Sequence, residues 1–194
     1  MLNLKHSVPN KLVLIGASTG GPGQIQKIIE SLDILEDTTF IIAQHMVDGF
    51  LESFAKRLHD GSHNNISVVS DGEALQQGKI YICDAKTSLD FKNFSFIKTK
   101  SSINSYNPDI NYLFHSFIPM CKKHKVLCVI LTGIGDDGVD ACRDLSLNGA
   151  RCMTESLESA IVDGMPNRAR SVVPNIEVDN MSKIIEKINE FCNV

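Results

Sequence analysis

Three places in the sequence set chemically able side chains beside glycine-broken turns. The first is Gly16-Ala17-Ser18-Thr19-Gly20, the second is His45 in "AQHMVDGF", and the third is the pair Asp136-Asp137 in "LTGIGDDG". A serine hydroxyl attacks a carbonyl only when a base takes its proton, and the base needs an acid to orient its ring and stabilise its charge. The GxSxG spacing around Ser18 fits a sharp strand-to-helix bend in which flanking glycines relieve crowding and present the hydroxyl. His45 is the natural base because it directly follows the apolar run "TFIIA". His59 and His63 sit in or near a polar loop, and His6, His115 and His124 follow no strand. For the acid, spacing alone leaves Asp136 and Asp137 open.

Blander readings compete. Ser18 could cap a helix starting near Pro22, and an Asp-Gly run is common in turns. The turn reading is weakened by its position straight after "VLCVIL", the longest clean apolar run in the chain. Phosphate binding is disfavoured: a dinucleotide fingerprint needs glycine where Ser18 stands, and a P-loop needs Gly-Lys-Ser/Thr, which "GASTGGPG" lacks. The order Ser, His, Asp is not that of the α/β hydrolases, chymotrypsin or subtilisin.

The elements that must position these residues follow from periodicity. "KLVLIG" and "TFIIA" read as buried strands, and Ile25, Ile28, Ile29 and Leu32 recur at helical spacing behind Pro22. A helix is expected to carry Phe50, Phe54 and Leu58 inward, ending before "DGSHNN". "ISVV" and "KIYIC" read as strands, and "SLDF" and "FSFIK" as a small antiparallel hairpin around Lys92-Asn93. A helix over 110–123 carries Pro119, which kinks or splits it. After "VLCVIL" come a helix around 139–148, a strand near "RCMT", another helical piece, and a last helix with Ile184, Ile185, Ile188 and Phe191. Short apolar runs alternating with amphipathic stretches predict an α/β fold: a doubly wound three-layer α/β/α arrangement with a mainly parallel sheet and a small antiparallel hairpin.

Composition bounds the function. At 194 residues the chain suits one domain, spanning 1–194 with its core at about 11–173. Hydrophobic residues at 43% and a net charge of -4 describe an ordinary globular protein with no electrostatic case for nucleic-acid binding. The six cysteines are scattered without ligand spacing, so buried reduced thiols and no metal are expected. "MLNLKHSVPN" lacks the apolar core of a signal peptide, and "VLCVIL" is too short to span a bilayer, which makes the cytoplasm the expected location. "KKHK", Lys98 and Lys100 read as solvated surface.

Five segments, "IGASTGG", "QHMVDGF", "DGEALQQGKIYI", "LTGIGDDGVDA" and "ESLESAIVDGMPNRA", occur in the order and at the approximate spacings of a known family. Over about Lys11 to Val173 the chain resembles the catalytic domain of the chemotaxis protein-glutamate methylesterases, CheB. The resemblance implies a serine hydrolase without cofactor that cleaves γ-glutamyl methyl esters of chemoreceptors to glutamate and methanol; members often deamidate receptor glutamines too. It implies Ser18 as nucleophile, His45 as base and Asp137 as acid. Thr19, Gly20, Met46, Ile134, Gly135 and Met165 would stand near the substrate and oxyanion. The partners implied are methylated cytoplasmic receptor helices, with the membrane approached only through them.

Departures from the family are local. Ile134 stands where methionine is common and Asp136 where asparagine is; "CDAKTSLDF" replaces a Pro-Gly-Gly loop bearing a histidine; "SYNPDINYLF" keeps only Pro108-Asp109 and the later apolar residues. Most members also carry a receiver domain in front, and none fits before a first catalytic strand near residue 11. Met165-Pro166 is read equally well as cleft lining or as a plain helix start. Two rival functions remain at this level: hydrolysis of another ester or amide, and a nucleotide-binding or adaptor module that keeps the elbow only as a turn.

Overall fold

In the first strand, β1 (Lys11–Ala17), successive side chains pass to opposite faces, and both faces are covered. Leu12 and Leu14 enter one apolar cluster, Val13 and Ile15 the other, and all four are fully buried. A strand buried on both sides reads as a continuous apolar run, which is why "KLVLIG" shows no alternation. The computed structural model describes residues 8–47, 49–99 and 107–193.

From β1 the chain runs through α1 (Gly21–Glu30), β2 (Thr38–Gln44), α2 (Leu51–Asp60), β3 (Asn65–Val68) and β4 (Lys79–Cys83). The hairpin β5 (Lys86–Asp90) and β6 (Ser95–Thr99) follows, then α3 (Ile110–His115) and a 3-10 turn at Ile118–Lys122. The remainder is β7 (Lys125–Ile130), α4 (Val139–Leu147), β8 (Arg151–Glu155), α5 (Gly164–Val172), β9 (Glu177–Asp179) and α6 (Met181–Asn193). The main sheet has the order β3-β4-β2-β1-β7-β8-β9, with every pairing parallel, while β5 and β6 form a separate antiparallel pair.

Apolar residues of α1, α2 and α6 cover one face; those of α3, α4, α5 and the hairpin cover the other. The chain leaves β1 toward β2 in one direction and later builds β7 and β8 in the other. Strand order therefore reverses at β1, the place where open α/β sheets form a crevice at their carboxyl ends.

Most sequence expectations hold, and the differences have physical causes. Phe50, expected inward, is 62% exposed because it sits at the N-cap of α2, before the buried stripe of Leu51, Phe54 and Leu58 begins. Pro119 splits the expected 110–123 helix into α3 and the 3-10 turn. Lys98 is not simply solvated: it pairs with Asp84 at 2.7 Å and donates to the Val69 carbonyl at 2.9 Å. All six cysteines are unpaired thiols, with Cys121 and Cys192 only half-buried. The readings for His6 and Lys100 lie outside the described residues.

Strand β9 has no counterpart in the sequence reading. Its three residues bury little, and charge holds it in place: Arg151 of β8 donates to Glu177 at 2.5 and 2.9 Å, and Lys187 of α6 reaches Glu177 and Asp179 at 2.6 and 2.7 Å. Arg151 foremost, with Lys187, lowers the Glu177 carboxyl from the ordinary 4.5 to about 2. Its stabilising contribution is thus present above pH 4.5 and lost as pH falls toward 2. E177Q is expected to cost about 1 kcal/mol at pH 7, the ceiling for a partly exposed network. Thermal melts of both proteins should converge as the pH is lowered through that window; a gap independent of pH would remove the charge explanation.

Gly138, the N-cap of α4, has φ 90°, and a Cβ there would lie 2.5 Å from Ile110 Cγ2. G138A combines a left-handed backbone with overpacking, an expected loss of about 2–4 kcal/mol in urea denaturation. An unchanged midpoint would mean that Ile110 steps aside without cost.

Candidate active site

Parallel pairing brings the ends of three neighbouring strands to one rim. Ala17 of β1 is in register with Gln44 of β2, and Gly16 lies between Ala43 of β2 and Ile130 of β7. One residue past the first two ends come Ser18 and His45. Backbone bonds continue the pattern: His45 N–H donates to Ala17 O at 2.9 Å, Ser18 N–H to Thr132 O at 3.0 Å, and Leu131 N–H to Gly16 O at 2.9 Å. The buried Gln44 amide donates to both Ser18 O and His45 O, each at 2.8 Å, and so ties the two turns together.

The imidazole and the acid meet directly. His45 Nε2 and Asp137 Oδ2 are 2.7 Å apart. The carboxylate is 2% exposed and also accepts Ile110 N–H at 2.9 Å on Oδ2 and Asn111 N–H at 2.9 Å on Oδ1. Two peptide donors and a ring N–H leave little of its hydrogen-bonding capacity unmet, as a buried anion requires. Asp136, the other aspartate left open by spacing, is exposed. Of the two aspartates, Asp137 is therefore the one that bonds the ring at 45.

Ser18 is half-buried and does not cap α1, whose N-cap is Gly20 with no side-chain bond. Its hydroxyl makes no hydrogen bond with a described residue. The structure thus joins His45 to Asp137 and sets Ser18 at the same rim without a bond to the ring. Thr19 is exposed, and the N–H groups of Thr19 and Gly20 make no hydrogen bond with a described residue, at the end of α1 that attracts negative charge.

The remaining expected residues divide by depth. Ile134 is 65% exposed and Gly135 is exposed with φ 82°, both on the rim; Met46 is half-buried and donates its N–H to Asn107 O at 3.2 Å. Met165 is fully buried and donates its N–H to Gly133 O at 2.9 Å, so it is both the start of α5 and a wall beneath the loop.

Residues that the sequence reading passed over hold this site together. A Cβ on Gly133 would lie 2.3 Å from Met165 Sδ and 2.7 Å from Ser18 Cβ, so only hydrogen fits between the serine and the methionine. Its signal was the first glycine in "LTGIGDDG". Gln44 and Thr132 act through hydrogen bonds between elements, which no local spacing announces. Among the described residues no cluster of His, Cys, Asp or Glu could hold a metal ion.

Comparison with known proteins gives the chain a family. Residues 13–188 match the family model described as CheB methylesterase. The chain is 35% identical to a protein-glutamate methylesterase/protein-glutamine glutaminase 2 of Carboxydothermus hydrogenoformans, over 93% of this chain and 53% of that one. It is 32% identical to the protein-glutamate methylesterase/protein-glutamine glutaminase of Thermotoga maritima, over 96% of this chain and 56% of the relative. The chain spans about half the length of these curated relatives. The crystal structure of the Thermotoga maritima CheB methylesterase catalytic domain superposes with a TM-score of 0.83 at 30% identity, covering 94% of this chain and 99% of that domain. By sequence and fold together, the chain belongs to the CheB methylesterase family.

Proposed function

We propose that this chain is a methylesterase catalytic domain that hydrolyses glutamyl methyl esters on the cytoplasmic helices of chemoreceptors to glutamate and methanol. Ser18 is the nucleophile, His45 the general base and Asp137 the orienting acid. The observation that carries the reading is the 2.7 Å bond from His45 Nε2 to a carboxylate pinned by two peptide N–H groups. With Nε2–H donated to Asp137, the neutral ring carries its lone pair on Nδ1.

Substrate binding turns the Ser18 hydroxyl to Nδ1, a contact that such sites often complete only in the bound complex. Nδ1 takes the hydroxyl proton as Oγ attacks the ester carbonyl. The tetrahedral oxyanion is stabilised by peptide N–H groups, for which Thr19 and Gly20 are the candidates. Collapse breaks the carbonyl–methoxy bond, the imidazolium protonates the departing methoxide, and an acyl-serine remains. Water, deprotonated by the same ring, releases glutamate and restores the serine. A glutamine side chain would follow the same path with ammonia leaving, in line with the second activity in the relatives' names.

The exposed apolar side chains of Val47, Phe50, Ile134 and Ile161 support a docking role for the rim. Ile161 stands over the nucleophile turn, within 2.9 Å of where a Cβ on Gly20 would be. A receptor helix with its carboxylates methylated offers a surface of matching low charge. Among the described residues no helix is long and apolar enough to cross a membrane. In this reading the receptor supplies the contact with the membrane, on its cytoplasmic side.

The test is methanol release from radiomethyl-labelled receptor membranes. S18A should abolish turnover with its melting temperature unchanged, and D137N should lower kcat by roughly 10³–10⁴-fold, as expected when the ring loses its charged orienting partner. Wild-type methanol release by S18A would remove Ser18 from the mechanism. Hydrolysis of a soluble aryl ester without release from receptor would keep the chemistry and discard the substrate.

A further inference from the structure

Beneath the nucleophile turn lies a carboxylate that the reaction above does not use. Glu155, the last residue of β8, is fully buried. Its Oε1 accepts Gln24 Nε2–H at 2.7 Å and the Ser159 hydroxyl at 2.9 Å; its Oε2 accepts Thr132 N–H at 2.8 Å. No cation closes on the carboxylate among the described residues. Arg170 of α5 donates to the Glu155 backbone carbonyl at 2.7 Å and pairs with Asp163 at 2.6 Å. Asp179, the register neighbour on β9, is held by Lys187 at 2.7 Å. Toward the carboxylate α1 presents the Gln24 amide, and α6 contributes Met181 N–H, which donates to Ser159 Oγ at 2.9 Å. Burial foremost, with the charge of Asp163, pushes the Glu155 carboxyl up, against the lowering effect of its three hydrogen bonds.

The Thr132 peptide links this carboxylate to the nucleophile. Its N–H rests on Glu155 and its carbonyl receives Ser18 N–H at 3.0 Å. Its hydroxyl donates to Thr19 O at 2.9 Å while accepting Val162 N–H at 2.8 Å. One fully buried residue thus grips the nucleophile turn at two successive positions.

A second observation concerns Gln24. The residue is 5% exposed, and its Oε1 is buried without a hydrogen-bond partner. A carboxylate only accepts, so it holds the amide with Nε2 toward it. A protonated carboxyl needs an acceptor instead, and turning the amide over supplies Oε1.

We propose that Glu155 is a positioning residue for Ser18: its Oε2 fixes the Thr132 N–H, and Gln24 turns its amide over so that Oε1 accepts a hydrogen bond from the carboxyl O–H when that group is neutral. This rests on the reading of Ser18 as nucleophile. Glutamine at 155 would keep an acceptor for Thr132 and offer an NH2 to the turned Gln24, reproducing the protonated form. Leucine would keep the bulk and remove the acceptor.

The sign of the pH effect follows. A carboxyl raised in the folded state is held protonated there after the unfolded chain has lost its proton, so its cost is absent below the ordinary 4.5 and grows as pH rises toward the folded value. E155Q escapes that cost. The melting temperature of wild type relative to E155Q should therefore decline as pH rises above 4.5. In the methanol assay E155L should lose about 10²-fold in kcat with KM little changed, the scale of a nucleophile displaced by about an ångström, and E155Q should recover most of the loss. Parallel melting curves for wild type and E155Q, or wild-type kcat in E155L, would overturn the proposal. The melting comparison decides alone if E155L does not fold. Turnover by S18A is the separate signature that the nucleophile reading has failed.

Discussion

Parallel hydrogen bonding of β1 to β2 on one side and to β7 on the other is the constraint from which the rest of the molecule follows. Parallel strands in register end together, so whatever residue comes next on each chain is delivered to the same edge. Here the residues next in line are a serine, a histidine and the loop that carries an aspartate 7 residues beyond the end of β7, at Ile130. Slipping one pairing by a residue would send β1's apolar side chains to the wrong cluster on both faces, so the core that stabilises the sheet also fixes the rim that carries Ser18 and His45.

That rim is unusually dense in buried polar atoms. Asp137, Gln44, Thr132 and Glu155 are all buried, and each makes hydrogen bonds to main chain. A polar group in such a place is costly unless satisfied, so each one holds its partners in a narrow range of positions. The Asp137 carboxylate ties the start of α3 to the β7 loop; the Gln44 amide ties β1's turn to β2's; the Thr132 main chain ties Ser18 to β8. The site is assembled from ties between strand ends, with few contacts among Ser18, His45 and Asp137 themselves.

How much was legible from sequence follows from the range of the forces involved. Strands β1, β2, β4 and β7 announced themselves because burial on both faces leaves an uninterrupted apolar run. Ser18, His45 and the aspartate pair were legible because glycine is needed where a strand breaks sharply. Choosing Asp137 over Asp136 was beyond local spacing, since the difference lies in peptide donors supplied by Ile110 and Asn111, some 26 residues away in sequence. Strand β9 was hidden for a similar reason: ion pairs to Arg151 and Lys187 hold it, and three half-exposed residues carry no apolar pattern. Phe50 misled because a helix's apolar stripe begins at its first turn, and that residue lies just before it.

The contact between Ser18, Gly133 and Met165 bears on how such a domain can diversify. With 2.3 Å to the methionine sulfur and 2.7 Å to the serine methylene, position 133 tolerates no carbon while both neighbours keep their present form. Enlarging residue 133 would require residue 165 to shrink and the turn at Ser18 to shift as well. The two loci are thereby bound into one heritable unit, though 32 positions separate them along the chain.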